Sequence, residues 1–453
     1  MLHRKGIVAM KFQFNLEGEH LNSSLWAYDN GYIEGDLQVY INGALFLNEM
    51  YANVLELAIQ LGKWLQKVEN DDVCDFVYDS IDRDESSLQF YMHEQGLLVR
   101  SLYEQQRLEP LPIETVKMGV LDYLIELHVA LHRIGYEQRL GDLLKGFVSH
   151  NKWALILLEG NEYDEAFALI EKLAKQKPSA QSLNNYAWFL LREEEDRERA
   201  WDVLQQVLPL QPQSDFPYLM LGEIAIHHKQ FEQAKAYLQQ ALHFRVSEIA
   251  MYNLAMAHFC LGEYEQAATY FSRCEGDSGL TQLHEVVSWM HAGQRDKAKA
   301  LLDNWNEAAD DYTGAIEIAD VYIELGCFAE AREQFKKEWQ QYFVSPYIVS
   351  RYAYTLLQVG DMEACRQVVQ QAIENKKQEL VDEEQRELDE HWSVQDRAEC
   401  LVECKAQLEE LETLLQRLEQ GFVPAFDYDM YPDGGCQLYG CQQHGHTEYE
   451  ELT

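Results

Sequence analysis

From Lys11 to about Gln105 apolar and polar residues alternate with a period of two, so KFQFNLEG, DLQVYINGALF, DFVYDSI, SSLQFYMHE and GLLVRSLYE read as short antiparallel strands. Asn30-Gly31, Asn42-Gly43 and Gln95-Gly96 supply turn signals. One stretch departs from the alternation. Between Tyr51 and Val68, the residues Val54, Leu55, Leu57, Ala58, Leu61, Trp64 and Leu65 recur at helical spacing and form a one-face apolar stripe. Together these elements predict a small α+β domain over residues 1–107, a sheet with helix packed on it. Pro110 and Pro112 mark its end.

Beyond that boundary the period becomes helical. Thr115 to Ile134 and Tyr136 to Leu144 predict two helices resembling a degenerate hairpin. A phrase then recurs: a turn residue, a large residue, two polar residues and a small residue that opens a helix. The copies are NEYDEA, KQFEQA, GEYEQA, GQRDKA, GCFAEA and GDMEAC, with a worn copy, REEEDRERA. Their small residues are Ala166, Ala200, Ala234, Ala267, Ala298, Ala331 and Cys365, spaced by subtraction at 34, 34, 33, 31, 33 and 34 residues. A fixed period of that size predicts a helical solenoid, in which each helix pair covers the apolar face of its neighbour.

The repeats resemble the tetratricopeptide (TPR) family in more than the turn. Pro178 and Pro212 each fall twelve residues after an anchor, Leu221-Gly222 and Leu254-Ala255 pair a large with a small residue, and Ala241, Cys274 and Ala372 follow their anchors by seven. The resemblance covers about residues 147–377. It implies a mainly α chain, a right-handed α-α superhelical solenoid over residues 113–377 following the α+β domain. It also implies a partner-binding groove lined by the first helix of each unit. By position in the family's units, Asn185, Phe189, Arg192, Glu223, His227, Tyr252, Met256, Phe259, Asp320, Glu324 and Tyr354 are the groove candidates. The basic clamp of some members is missing, with Tyr186 where its second unit would carry asparagine. The N-terminal stretch LQVYINGALFLNE, the helix with LAIQLGKWL, and the strands DFVYDSI and LQFYMHEQGLLVRS are distantly similar to bacterial immunity proteins that neutralise toxins.

After the repeats, residues 378–421 predict a long acidic helix. Leu401, Cys404, Leu408, Leu411, Leu415 and Leu418 form a heptad seam suited to capping the solenoid, or to self-association. Residues 422–453, rich in Tyr, Gly, Asp and Gln, are expected to be an exposed flexible tail without periodicity.

Charge narrows the partner. Lys+Arg 37 against Asp+Glu 77 gives a formal net charge of -40, which repels nucleic acid and anionic membrane and attracts a basic or amphipathic protein. The nine cysteines suit a reducing cytoplasm, the N-terminus lacks a signal-peptide core, and Met10 offers a second start. No nucleotide loop, metalloprotease or nucleophile-elbow motif occurs, so neither catalysis nor a cofactor is expected. Cys436, Cys441, His444 and His446 form a zinc-like ligand set whose two histidines are too closely spaced for the usual pattern. His128 and His132 read as a solvated face, and Cys400 with Cys404 as packing residues. The reading is a non-catalytic scaffold or sequestering protein, with toxin neutralisation as one form of it. Two alternatives are an acidic mimic of nucleic acid and an enzyme sited in the N-terminal sheet, where Asp79, Asp82, Asp84 and Glu85 otherwise read as an exposed turn.

Overall fold

The computed structural model describes residues 9–16, 33–70, 74–80, 85–102, 109–133, 139–274, 279–305, 314–341, 345–388 and 392–449. The predicted Asn30-Gly31 turn and the pair Asp82 and Asp84 lie outside these. Two compact units divide the chain: Met1–Pro212 with Leu438–Thr453, and Gln213–Gln437.

In the first unit, β1 (Met10–Leu16), β2 (Glu34–Ile41) and β3 (Ala44–Asn53) form an antiparallel sheet in sequence order. The stretch DLQVYINGALF is thus a hairpin turning at Asn42-Gly43, whose positive φ values suit the tight turn that the dipeptide favours. Asn53 caps α1 (Val54–Glu69), accepting from the Glu56 amide at 3.1 Å. All seven stripe residues are buried. A second sheet holds β4 (Phe76–Val77), β5 (Gln89–His93) and β6 (Gly96–Arg100).

Helix α2 (Ile113–Arg133) belongs to this core and does not open the solenoid. Tyr123, fully buried, stacks on Phe12 at 4.9 Å and donates to the Val54 carbonyl at 2.7 Å. Gly119 admits β1 so closely that a Cβ there would lie 2.5 Å from the Met10 carbonyl oxygen. The prolines after residue 109 are a bend within one core, because Leu111 pairs with Leu97 across them. After α3 (Arg139–Leu144), two helix pairs complete the first unit: α4 (His150–Glu159) with α5 (Tyr163–Gln176), and α6 (Ala180–Arg192) with α7 (Arg197–Val207).

The second unit continues with five pairs. They are α8 (Phe216–His227) with α9 (Phe231–Phe244), α10 (Glu248–Cys260) with α11 (Tyr264–Phe271), α12 (Gly279–His291) with α13 (Arg295–Asp303), α14 (Ala315–Glu324) with α15 (Phe328–Glu338), and α16 (Pro346–Gln358) with α17 (Met362–Gln385). All seven anchor residues, Ala166 to Cys365, are buried to 1% exposure or less, which explains why each must be small. Five residues before each anchor stands a left-handed residue: Asn161, Glu195, Lys229, Gly262, Gly293, Gly326 and Gly360. The turn thus repeats in conformation where its sequence is worn.

Helix α17 overruns the expected start of the acidic helix, and α18 (Val394–Glu419) lies against it after a break. Cys404, Leu411, Leu414 and Leu418 are buried, the three leucines in the second unit's core, while Leu401, Leu408 and Leu415 are half-buried. The seam proposed for self-association is therefore partly spent inside this unit.

Candidate functional site

The segment after α18 is not the free tail its composition suggests. From Phe422 to Cys436 burial alternates residue by residue: Phe422, Pro424, Phe426, Tyr428, Met430, Pro432, Gly434 and Cys436 are covered, and the residues between them, including Asp427, Asp429 and Asp433, are exposed. Such alternation belongs to an extended chain with one face on a wall. The wall is made by the first helices of the pairs.

Four contacts hold this segment in the second unit. Arg351 of α16, with no exposed surface, donates from Nη1 to the Pro424 carbonyl at 3.1 Å. Its Nε reaches Asp320 Oδ1 at 2.7 Å, and Nη1 also meets Glu324 Oε1 at 2.9 Å, so the buried guanidinium is neutralised in place. The Tyr347 hydroxyl donates to Asp320 Oδ2 at 2.7 Å and accepts from the Asp427 amide at 3.2 Å. His284 of α12 bridges two phenols, Tyr252 at 2.9 Å through Nε2 and Tyr428 at 2.5 Å through Nδ1, one nitrogen donating and the other accepting. Burial lowers its pKa to about 4, so the ring is neutral. Asn253 of α10 closes the series, donating from Nδ2 to the Asp433 carbonyl at 2.8 Å and accepting the Asp433 amide at 2.8 Å. A cavity of about 370 Å³ beside it is lined by Glu248, Tyr252, Cys274, Leu280, Thr281, Tyr431 and Asp433.

The first unit repeats the device. Asn185 of α6 pairs with Tyr439 in the same two-bond manner, at 3.0 Å for each bond, and the Tyr439 ring is wholly buried. One turn earlier Gln181 accepts the Tyr449 amide at 2.8 Å and donates to Glu448 at 3.1 Å. Ser149 donates to the other Glu448 oxygen at 2.6 Å, and Lys152 reaches the Gly440 carbonyl at 3.4 Å. Asn185 and Asn253 each stand nineteen residues after an anchor, Ala166 and Ala234, so they are one repeat position used twice.

Of the expected groove residues, Asn185 holds the segment in the first unit, and Tyr252, Asp320 and Glu324 belong to the wall of the second. The others divide. Phe189 is fully buried among Phe167 and Trp188, Met256 is buried, Phe259 meets Tyr264 and His291 edge-on, and Tyr354 meets Phe328 in the same way. These aromatics are packing residues. Glu223 is buried, Arg192 half-buried and His227 exposed. Measured from the anchors, Asn185 and Asn253 share one register, with Tyr186 one place after the first and Tyr252 one place before the second. Arg351, Tyr347, His284 and Gln181 were also missed. The period-two alternation of Phe422, Pro424, Phe426, Tyr428, Met430 and Pro432 was the available signal.

Among the zinc-like set, Cys441 is buried with its sulfur 3.3 Å from His444 Nδ1, whereas His446 Nδ1 turns to the Leu438 carbonyl at 3.0 Å. Cys436 belongs to the second unit and is half-buried. His128 is buried against Trp153, and His132 faces Glu162 at 3.3 Å, so that pair is not a solvated face.

Residues 219–279 match the tetratricopeptide repeat family, and residues 10–133 match a domain of unknown function. Solved structures similar to the chain include a tetratricopeptide repeat protein from Parabacteroides merdae (16% identity, 54% of this chain and 95% of that one, TM-score 0.33) and yeast Tom70 (14% identity, 69% and 64%, TM-score 0.32). YrrB, described as a TPR protein with an unusual peptide-binding site, is 17% identical over 46% of this chain and 91% of its own (TM-score 0.29). No curated protein matches the chain. Among the described residues no helix is long and apolar enough to cross a membrane.

Proposed function

We propose that this chain is a non-catalytic protein-binding scaffold whose first helices hold extended polypeptide by its main chain. The carrying observation is the repeated asparagine clamp, Asn185 on Tyr439 and Asn253 on Asp433. A side-chain amide offering both a donor and an acceptor matches one peptide unit whatever its side chain, so the clamp fixes register and leaves sequence choice to the flanking contacts. The occupant is amphipathic, with one apolar edge toward the wall. Neutralisation of a basic toxin is one use such a scaffold could serve, favoured by the net charge of -40.

The test keeps the whole chain. A protease site inserted between Gln420 and Gly421 is cleaved after folding, and a labelled peptide of residues 422–449 is offered for exchange. The scaffold reading predicts saturable binding, weakened at least about tenfold (~1.4 kcal/mol) by Asn253→Ala and by Asn185→Ala. No binding by the folded, cleaved protein would refute it.

A further inference from the structure

We infer that the C-terminal segment is a tethered, displaceable occupant, and that the outside partner is an extended segment with the same apolar edge and basic residues on its other edge. This rests on the scaffold reading and names the partner and the gate.

Two observations carry it. Between Pro424 and Met430 the wall meets the covered residues and the main chain. Pro424, Phe426 and Tyr428 face Arg351 and His284, whereas Asp427, Asp429, Tyr431 and Asp433 are exposed between them. The exposed side chains of Asp427 and Asp429 can change without disturbing the fit, whereas Gly435, also exposed, cannot. Second, the resident segment has the less favourable sign of charge. Residues 422–449 carry Asp427, Asp429, Asp433 and Glu448 and no Lys or Arg, on a chain whose net charge is already -40. A competitor with lysine at the exposed positions gains attraction where the resident meets repulsion. What keeps the resident in place is its tether, which gives it a local concentration far above that of a free competitor.

Register is fixed by Gly435. Its φ is +71°, a conformation β-branched residues rarely adopt, and a Cβ there would also press on the movable end of Ile249 on α10, so valine at this point strains the backbone that seats the segment without altering the helices.

The experiment measures labelled-peptide binding to the intact chain, the cleaved chain of the preceding test, and the intact double variant Gly435→Val with Tyr428→Ala. Two peptides are used: residues 422–449 as they stand, and the same peptide with Asp427, Asp429 and Asp433 replaced by lysine. The expected result is binding to the cleaved chain, at least about 100-fold weaker apparent binding to the intact chain, and recovery to within about tenfold in the double variant. The lysine peptide should bind at least about tenfold tighter at low salt, an advantage that shrinks as salt is raised. Equal binding to intact and cleaved chains would overturn the gate and leave the scaffold standing. A lysine peptide that binds no better would overturn the basic partner. Failure of both peptides to bind the cleaved chain would sink the scaffold reading as well.

Discussion

Asn253 and Asp433 are joined by two hydrogen bonds of 2.8 Å, one in each direction, between a side-chain amide and a main-chain peptide unit. A side-chain amide can do both, and a carboxylate cannot. Aspartate at 253 would still accept from the Asp433 amide but would face its carbonyl with a second acceptor. Asn253→Asp should therefore loosen the segment by about 1–3 kcal/mol, the cost of a polar group left unpaired. Chymotrypsin cleavage after Tyr428, whose ring is covered while the segment is held, should speed up by tenfold or more, read by mass spectrometry; an unchanged rate would show that the clamp does not hold the segment.

Lys229 occupies the left-handed turn position with φ 58°, where four later repeats have glycine. A side chain there carries a steric cost of about 1 kcal/mol, part of which glycine returns as greater freedom of the unfolded chain. Lys229→Gly should stabilise the protein by about 0.5 kcal/mol in denaturant unfolding, with an unchanged slope.

Arg351 has no exposed surface and neutralises Asp320 and Glu324. Arg351→Met should cost about 3–5 kcal/mol, because it abandons the buried carboxylate of Asp320. Thermal unfolding should show a clear drop in midpoint, largely restored when Asp320→Asn is added.

His284 and His128 are both pushed down to about 4 by burial, from an ordinary value of 6.5. The unfolded chain therefore binds protons on these rings at a pH where the folded chain does not. Their contribution to stability is complete above about pH 6.5 and is lost as pH falls toward 4, by at most about 3 kcal/mol for each ring. His284→Gln should flatten this part of the stability profile relative to the native chain. An identical profile would mean that the His284 ring is not buried neutral.

The solenoid was legible because its requirement is local and repeated: seven small residues where helices cross, at six spacings of 31 to 34 residues, each following a tight turn. The helix stripe from Val54 to Leu65 was legible for the same reason. The limits of the N-terminal core were not, since Tyr123 and Gly119 reveal their place only against Phe12, Met10 and Val54, far away in sequence. The site was partly visible in Asn185, Tyr252, Asp320 and Glu324. It stayed hidden where a long-range partner decides a residue's role: Arg351 needs Pro424, and His284 needs Tyr428. The alternation in the C-terminal segment was present throughout, masked by its glycines and acids.

Hydrogen exchange at the Asp433 and Tyr439 amides of the intact chain tests the central claim most directly, since each is held by one asparagine. The account predicts protection of at least about 100-fold over the free peptide of residues 422–449, lost at Asp433 in Asn253→Ala and at Tyr439 in Asn185→Ala. Exchange of both amides at the free-peptide rate in the unaltered protein would contradict it.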